Sequence, residues 1–127
     1  MSGHAIVIAE PDGTIAHWSK GAEEFFGFAA DVAIGQSLDL IVPDQYRDRH
    51  WEGFRRVMAT GVCGLDRAVT NIPVKCADSM VRVFPGRFIF LAGARDEVVG
   101  VMALYSAPAG SEQPFGPIQP LGEVEFQ

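Results

Sequence analysis

Residues 6–28 read IVIAEPDGTIAHWSKGAEEFFGF, and this stretch decides the fold. The apolar run HAIVIA at residues 4–9 is a short strand, broken by the turn-forming residues Pro11, Asp12 and Gly13. Strand character resumes over residues 14–18, TIAHW, so the two segments pair as a hairpin. In GAEEFFG, residues 21–27, the side chains of Ala22, Phe25 and Phe26 share one helical face. Glu23 and Glu24 sit in the first turn, where the helix dipole favours them, and Gly27 ends the helix.

Outward from this start, residues 29–33 read as another short helical turn closed by Gly35. Pro43 introduces the longest helix, predicted over residues 44–59. There Tyr46, His50, Phe54, Val57 and Met58 form an apolar stripe at spacings of three and four. Thr60 and Gly61 stop it. The rest reads mainly as strand, with candidates at residues 63–70, 80–84, 87–92 and 98–105 that supply about three strands of the sheet, Pro85-Gly86 as a turn and residues 93–97 as a polar turn. Residues 74–77 read as an irregular pairing segment. The order gives an α+β fold: a five-stranded antiparallel sheet with short helices and one longer helix packed on one face. A ligand pocket is expected between the helical layer and the sheet.

The 127 residues suit one domain, here residues 1–106, followed by a tail at 107–127 that holds four of the eight prolines and no Lys or Arg. A net charge of -6 lacks the basic footprint of a nucleic-acid-binding domain and discourages docking on anionic membrane. No apolar run reaches bilayer length, and the N-terminus has no signal-peptide pattern, so a cytoplasmic location is expected. Cys63 and Cys76 lack metal-binding spacing and read as small buried thiols. His4 reads as a terminal surface residue and His17 as a half-exposed strand residue. Phosphate-binding glycine loops, zinc-helix motifs and calcium loops do not occur, and no enzymatic activity is expected.

The chain resembles a PAS sensory domain over about residues 4–106. The resemblance rests on the Asp12-Gly13 turn, Trp18, Ala22-Glu23, Phe26-Gly27 and Ile34-Gly35. It implies a non-enzymatic signal-sensing module that pairs as a homodimer and passes its state to a signalling protein or output domain. Residues 41–61, IVPDQYRDRHWEGFRRVMATG, resemble more narrowly the central helix of the haem-binding PAS domains of bacterial oxygen sensors. That likeness runs through Pro43, Tyr46, Arg47, His50, Gly53, Arg56 and Thr60-Gly61. It implies haem b ligated by His50, with Arg56 near a propionate. It also implies Leu65 and Arg67 on the distal side and a diatomic gas as stimulus.

The residues themselves allow this chemistry and also simpler roles. A neutral imidazole on the apolar stripe can ligate haem iron, and Leu65, Ile89, Leu91, Val101 and Met102 are candidates to exclude water opposite it. Arg67 can donate a charge-assisted hydrogen bond to a bound gas or propionate. Equally, His50 reads as a satisfied core residue, Arg56 as a solvated helix face and Arg67 as half of a cross-strand ion pair. Phe25, Phe26, Phe54, Phe84, Phe88 and Phe90 read mainly as packing residues that can also line a pocket. The alternative function is a cofactor-free PAS interaction domain, or one that binds another small organic ligand.

Overall fold

The computed structural model describes residues 3–60, 69–110 and 114. Strands β1 (His4–Ala9) and β2 (Ile15–Trp18) precede helices α1 (Lys20–Phe26) and α2 (Ala30–Ala33). Two 3-10 turns, Leu38–Leu40 and Asp44–Tyr46, lead into α3 (Arg47–Thr60). Strands β3 (Val69–Lys75), β4 (Val81–Ala92) and β5 (Val98–Ser106) complete the order. The five strands form one sheet in the order β2-β1-β5-β4-β3, with every neighbouring pair antiparallel.

Local chemistry explains the opening elements. Asp12 Oδ1 accepts from Thr14 N at 2.9 Å, and Gly13 takes φ +87°, which closes the turn between β1 and β2. Ser19 caps α1 by accepting from Ala22 N, and its hydroxyl also accepts from Ile6 N at 2.8 Å, which joins the helix start to β1. Gly27 ends α1 in the left-handed region. Glu23 reaches forward to accept from Ala30 N at 2.7 Å, so one carboxylate fixes the start of α2.

The sheet face beneath the helices carries the core. Phe26 is 1% exposed, and its ring lies 4.9 Å from Tyr105, 5.1 Å from Phe84 and 5.7 Å from Trp18, each edge-on. Phe25 stacks on Phe84. Backbone bonds from Lys75 N to Ile41 O and from Ala77 N to Phe26 O tie the far edge of the sheet to the helical layer.

Two expectations change here. Pro85-Gly86 does not turn; β4 runs unbroken through it for 12 residues. Asn71 faces Pro85, and Gly86 sits opposite Tyr105. A Cβ at Gly86 would come 2.7 Å from Leu104 O and 2.8 Å from Ile72 Cδ1, so this glycine serves close strand approach rather than a bend. The third strand lies at Val69–Lys75, later than expected and across Pro73, where it forms a sheet edge that tolerates proline. Residues 63–68 of the expected strand, Cys63 among them, and residues 111–113 and 115–127 of the expected tail lie outside the described residues. Among the described residues, no helix is long and apolar enough to cross a membrane.

Candidate functional site

A cavity of about 720 Å³ lies between α3 and the sheet. This is within the range of small-molecule sites, roughly 300–1,000 Å³. Its floor is Val7 and Ala9 of β1, Val101, Ala103 and Tyr105 of β5, Phe88 and Phe90 of β4, and Ile72, Pro73 and Val74 of β3. Leu38, Ile41, Val42 and Pro43 form a side wall. The roof is one face of the helical segment: Tyr46, Arg49, His50, Gly53, Phe54, Arg56 and Val57. These positions recur at three and four residues, which is why a single helix can cover the opening. A shallower depression on α3 is lined by Asp48, Arg49, Trp51, Glu52 and Arg55 and is mainly polar.

The roof is seated at its start. Trp51 Nε1 donates to Asp39 Oδ1 at 2.7 Å, and Arg47 Nη2 donates to Asp39 O at 3.1 Å and pairs with Asp44 at 3.2 Å. The Trp51 ring lies over Gly13, where a Cβ would come 2.5 Å from Trp51 Cζ3. The sequence reading gave Trp51 no role. Its place at the edge of the apolar stripe hides a function that only the contact with Gly13 and Asp39 reveals.

His50 does line the cavity. Its ring stacks near Phe54 at 5.7 Å and meets Trp51 edge-on at 4.7 Å. Burial pushes its pKa down, and the Asp39 carboxylate only partly offsets this, so the imidazole is neutral at pH 7. Its Nδ1 is buried without a hydrogen-bond partner. Arg56 lines the cavity from an exposed position and makes no ion pair among the described residues. Arg49 lines it too, with its guanidinium carbon 5.9 Å from the centre of the Tyr46 ring.

Ile89, Leu91 and Met102, expected in the pocket, do not line it, whereas Val101 does. In RFIFLA, residues 87–92, both strand faces are apolar, so alternation alone leaves the inward face undecided. Register decides it. Phe88 pairs with Ala103 and Phe90 with Val101, all inward, while Ile89 pairs with Met102 on the opposite face. Phe54, Phe88 and Phe90 line the cavity, and Phe25, Phe26 and Phe84 pack outside it. Leu65 and Arg67 lie outside the described residues. Cys76 is buried, and burial pushes its thiol pKa up, as suits a packing residue. Among the described residues, no cluster of three or more His, Cys, Asp or Glu stands ready to hold a metal ion.

A five-stranded antiparallel sheet with a helical segment roofing an apolar cavity defines a class of small α+β folds. The family model described as "PAS fold" matches residues 2–63, and the chain has a PAS-like fold. A protein of Azorhizobium caulinodans is 33% identical over 104 residues, which is 72% of this chain and 14% of that protein. The sensor protein FixL of Bradyrhizobium diazoefficiens is 31% identical over 70 residues, 53% of this chain and 14% of FixL. The chain thus spans about one seventh of the length of these curated relatives. Among solved structures, the PAS domain of a Colwellia psychrerythraea protein superposes with a TM-score of 0.70 at 17% identity, covering 84% of this chain and 87% of that one. The PAS domain of the quorum-sensing receptor RpfR from Cronobacter turicensis, in complex with C12:0, gives 0.62 at 17% identity, covering 85% and 97%.

Proposed function

We propose that this domain is a non-enzymatic sensory module that binds a small, largely apolar organic molecule in the cavity beneath α3. The observation that carries this reading is the cavity itself: about 720 Å³, apolar on the sheet side, with its roof formed by one helix. Burying an apolar body there removes it from water at roughly 25 cal/mol per Å². The RpfR PAS domain, which shares the fold and is in complex with C12:0, supports this reading. The occupant's state would pass to a second copy or to a signalling partner through the sheet and α3. Titration with the neutral probe N-phenyl-1-naphthylamine tests the reading. Saturable fluorescence enhancement is expected, with loss in Ala103→Phe, which fills the cavity floor. Absence of saturable binding to the unaltered protein would refute it.

A second reading, haem b as the occupant and a diatomic gas as stimulus, draws on one observation. His50 is a neutral imidazole in the cavity wall, the donor that axial ligation needs. The likeness to FixL points the same way. The fit is incomplete. A ligating histidine is normally oriented by a hydrogen bond from its other ring nitrogen, and Nδ1 has no partner here. Three residues expected opposite the iron lie on the other sheet face. If haem binds, it supplies gas ligation, while His50 would orient it and Arg56 would hold a propionate. Reconstitution with hemin should then give a Soret band that His50→Ala removes. A spectrum of free hemin alone would end this reading and leave the first intact.

A further inference from the structure

The charge around the cavity is one-sided. Among the described lining residues, the charged side chains are Arg49 and Arg56, and none is Asp or Glu. The chain as a whole carries 16 acidic residues against 10 basic ones, so this wall runs against the prevailing sign. Elsewhere some of the acids are matched locally: Asp39 and Asp44 hold Arg47, Asp44 also meets Lys75, and Asp78 holds Arg82.

The two arginines stand on one face of α3, seven residues and therefore about 10.5 Å of helix rise apart. Gly53 lies between them on the same face. A Cβ there would meet nothing within 4 Å, so the helix surface between the two guanidinium groups is open. The opposite wall, Phe88, Phe90, Val101 and Ala103, is wholly apolar. A ligand complementary to these surfaces has an apolar body and one anionic end. A monoanion suits the half-open position better than a dianion, because each added charge raises the desolvation cost. The planar guanidinium fork matches a carboxylate in two parallel hydrogen bonds.

Resting on the ligand-binding reading above, we propose that the cavity takes an amphipathic monocarboxylate, its apolar body against the sheet and its carboxylate at the Arg49–Gly53–Arg56 face of α3. Arg56 supplies the direct ion pair, since it makes none among the described residues. Arg49 contributes charge from beside the Tyr46 ring. The carboxylate end stays near solvent, so the ligand enters apolar end first.

Three probes of one chain length test this: dodecanoate, dodecanol and dodecylammonium, each below its micelle-forming concentration and read by displacement of N-phenyl-1-naphthylamine at pH 7.5. Dodecanoate should bind about tenfold more tightly than dodecanol, the size of one charge-assisted hydrogen-bonded contact, and dodecylammonium more weakly than either. Arg56→Gln should remove most of the dodecanoate advantage and leave dodecanol unchanged, which also reports an intact cavity. Arg56→Lys should retain part of the advantage through charge alone. Equal affinities for the three probes, or an advantage that survives in both Arg56→Gln and Arg49→Gln, would overturn the inference. Binding of the naphthylamine probe without preference for dodecanoate would do the same and leave the ligand-binding reading standing. Failure of the naphthylamine probe itself would remove both.

Discussion

Replacing Gly13 with alanine should destabilise the protein far more than an ordinary glycine substitution in a turn. Two terms contribute. Gly13 has φ +87°, where an L side chain costs about 1–2 kcal/mol. The new Cβ would also press into the Trp51 ring, 2.5 Å from Cζ3, and the ring must move. Movement breaks the bond from Trp51 Nε1 to the Asp39 carboxylate, and a hydrogen bond to a charged group is worth about 1.5–3 kcal/mol. The total is about 2.5–5 kcal/mol, a large share of the roughly 5–15 kcal/mol that stabilises a typical domain. Gly35 supplies the control. Its φ is +95°, but a Cβ there would meet nothing within 4 Å, so Gly35→Ala should cost the conformational term alone. Urea unfolding followed by far-UV circular dichroism measures both. In a Trp51→Ala background the extra cost of Gly13→Ala should vanish, leaving a value close to that of Gly35→Ala. Equal costs for the two single variants would refute the claim that Trp51 seats α3 on the β1–β2 turn.

Gly53→Ala should stabilise the protein by about 0.5–1 kcal/mol, because it removes a glycine from inside α3 and the new methyl meets nothing within 4 Å; thermal denaturation checks this. Phe26→Ala should cost about 3–5 kcal/mol in urea unfolding, since the lost ring is 1% exposed and meets four other aromatic rings. His50 should titrate below 6.5 by NMR, because burial disfavours its charged form. The unfolded chain then takes up this proton first as pH falls. The His50 contribution to stability is full above pH 6.5 and is lost as pH falls from there through the lowered value of the folded state, and His50→Gln should flatten this part of the stability profile.

The hairpin and first helix were legible because their signals are local. The turn at Asp12-Gly13 and the stop at Gly27 each act within a few residues, and both occur, while the cap at Ser19 is added by the structure. The helical roof was legible for the same reason, since the spacing of Tyr46, His50, Phe54 and Val57 marks one face. Local signals failed where sheet register decides. Pro85-Gly86 has turn chemistry, yet the pairing of β4 with both β3 and β5 holds it extended. The same register sends Phe88 and Phe90 inward and Ile89 and Leu91 outward, a choice that a doubly apolar strand does not encode by itself. The role of Trp51 depends on Gly13 and Asp39, 38 and 12 residues away in sequence.

The placement of the ties on α3 has a mechanical consequence. Arg47 and Trp51 fasten the helix near its beginning, while Phe54 and Val57, further along, meet the cavity. With 14 residues, the helix is about 21 Å long. A load on Phe54 or Val57 therefore acts about 4.5 to 9 Å of helix rise beyond Trp51, and that span is the arm through which it torques the ties at the start of α3.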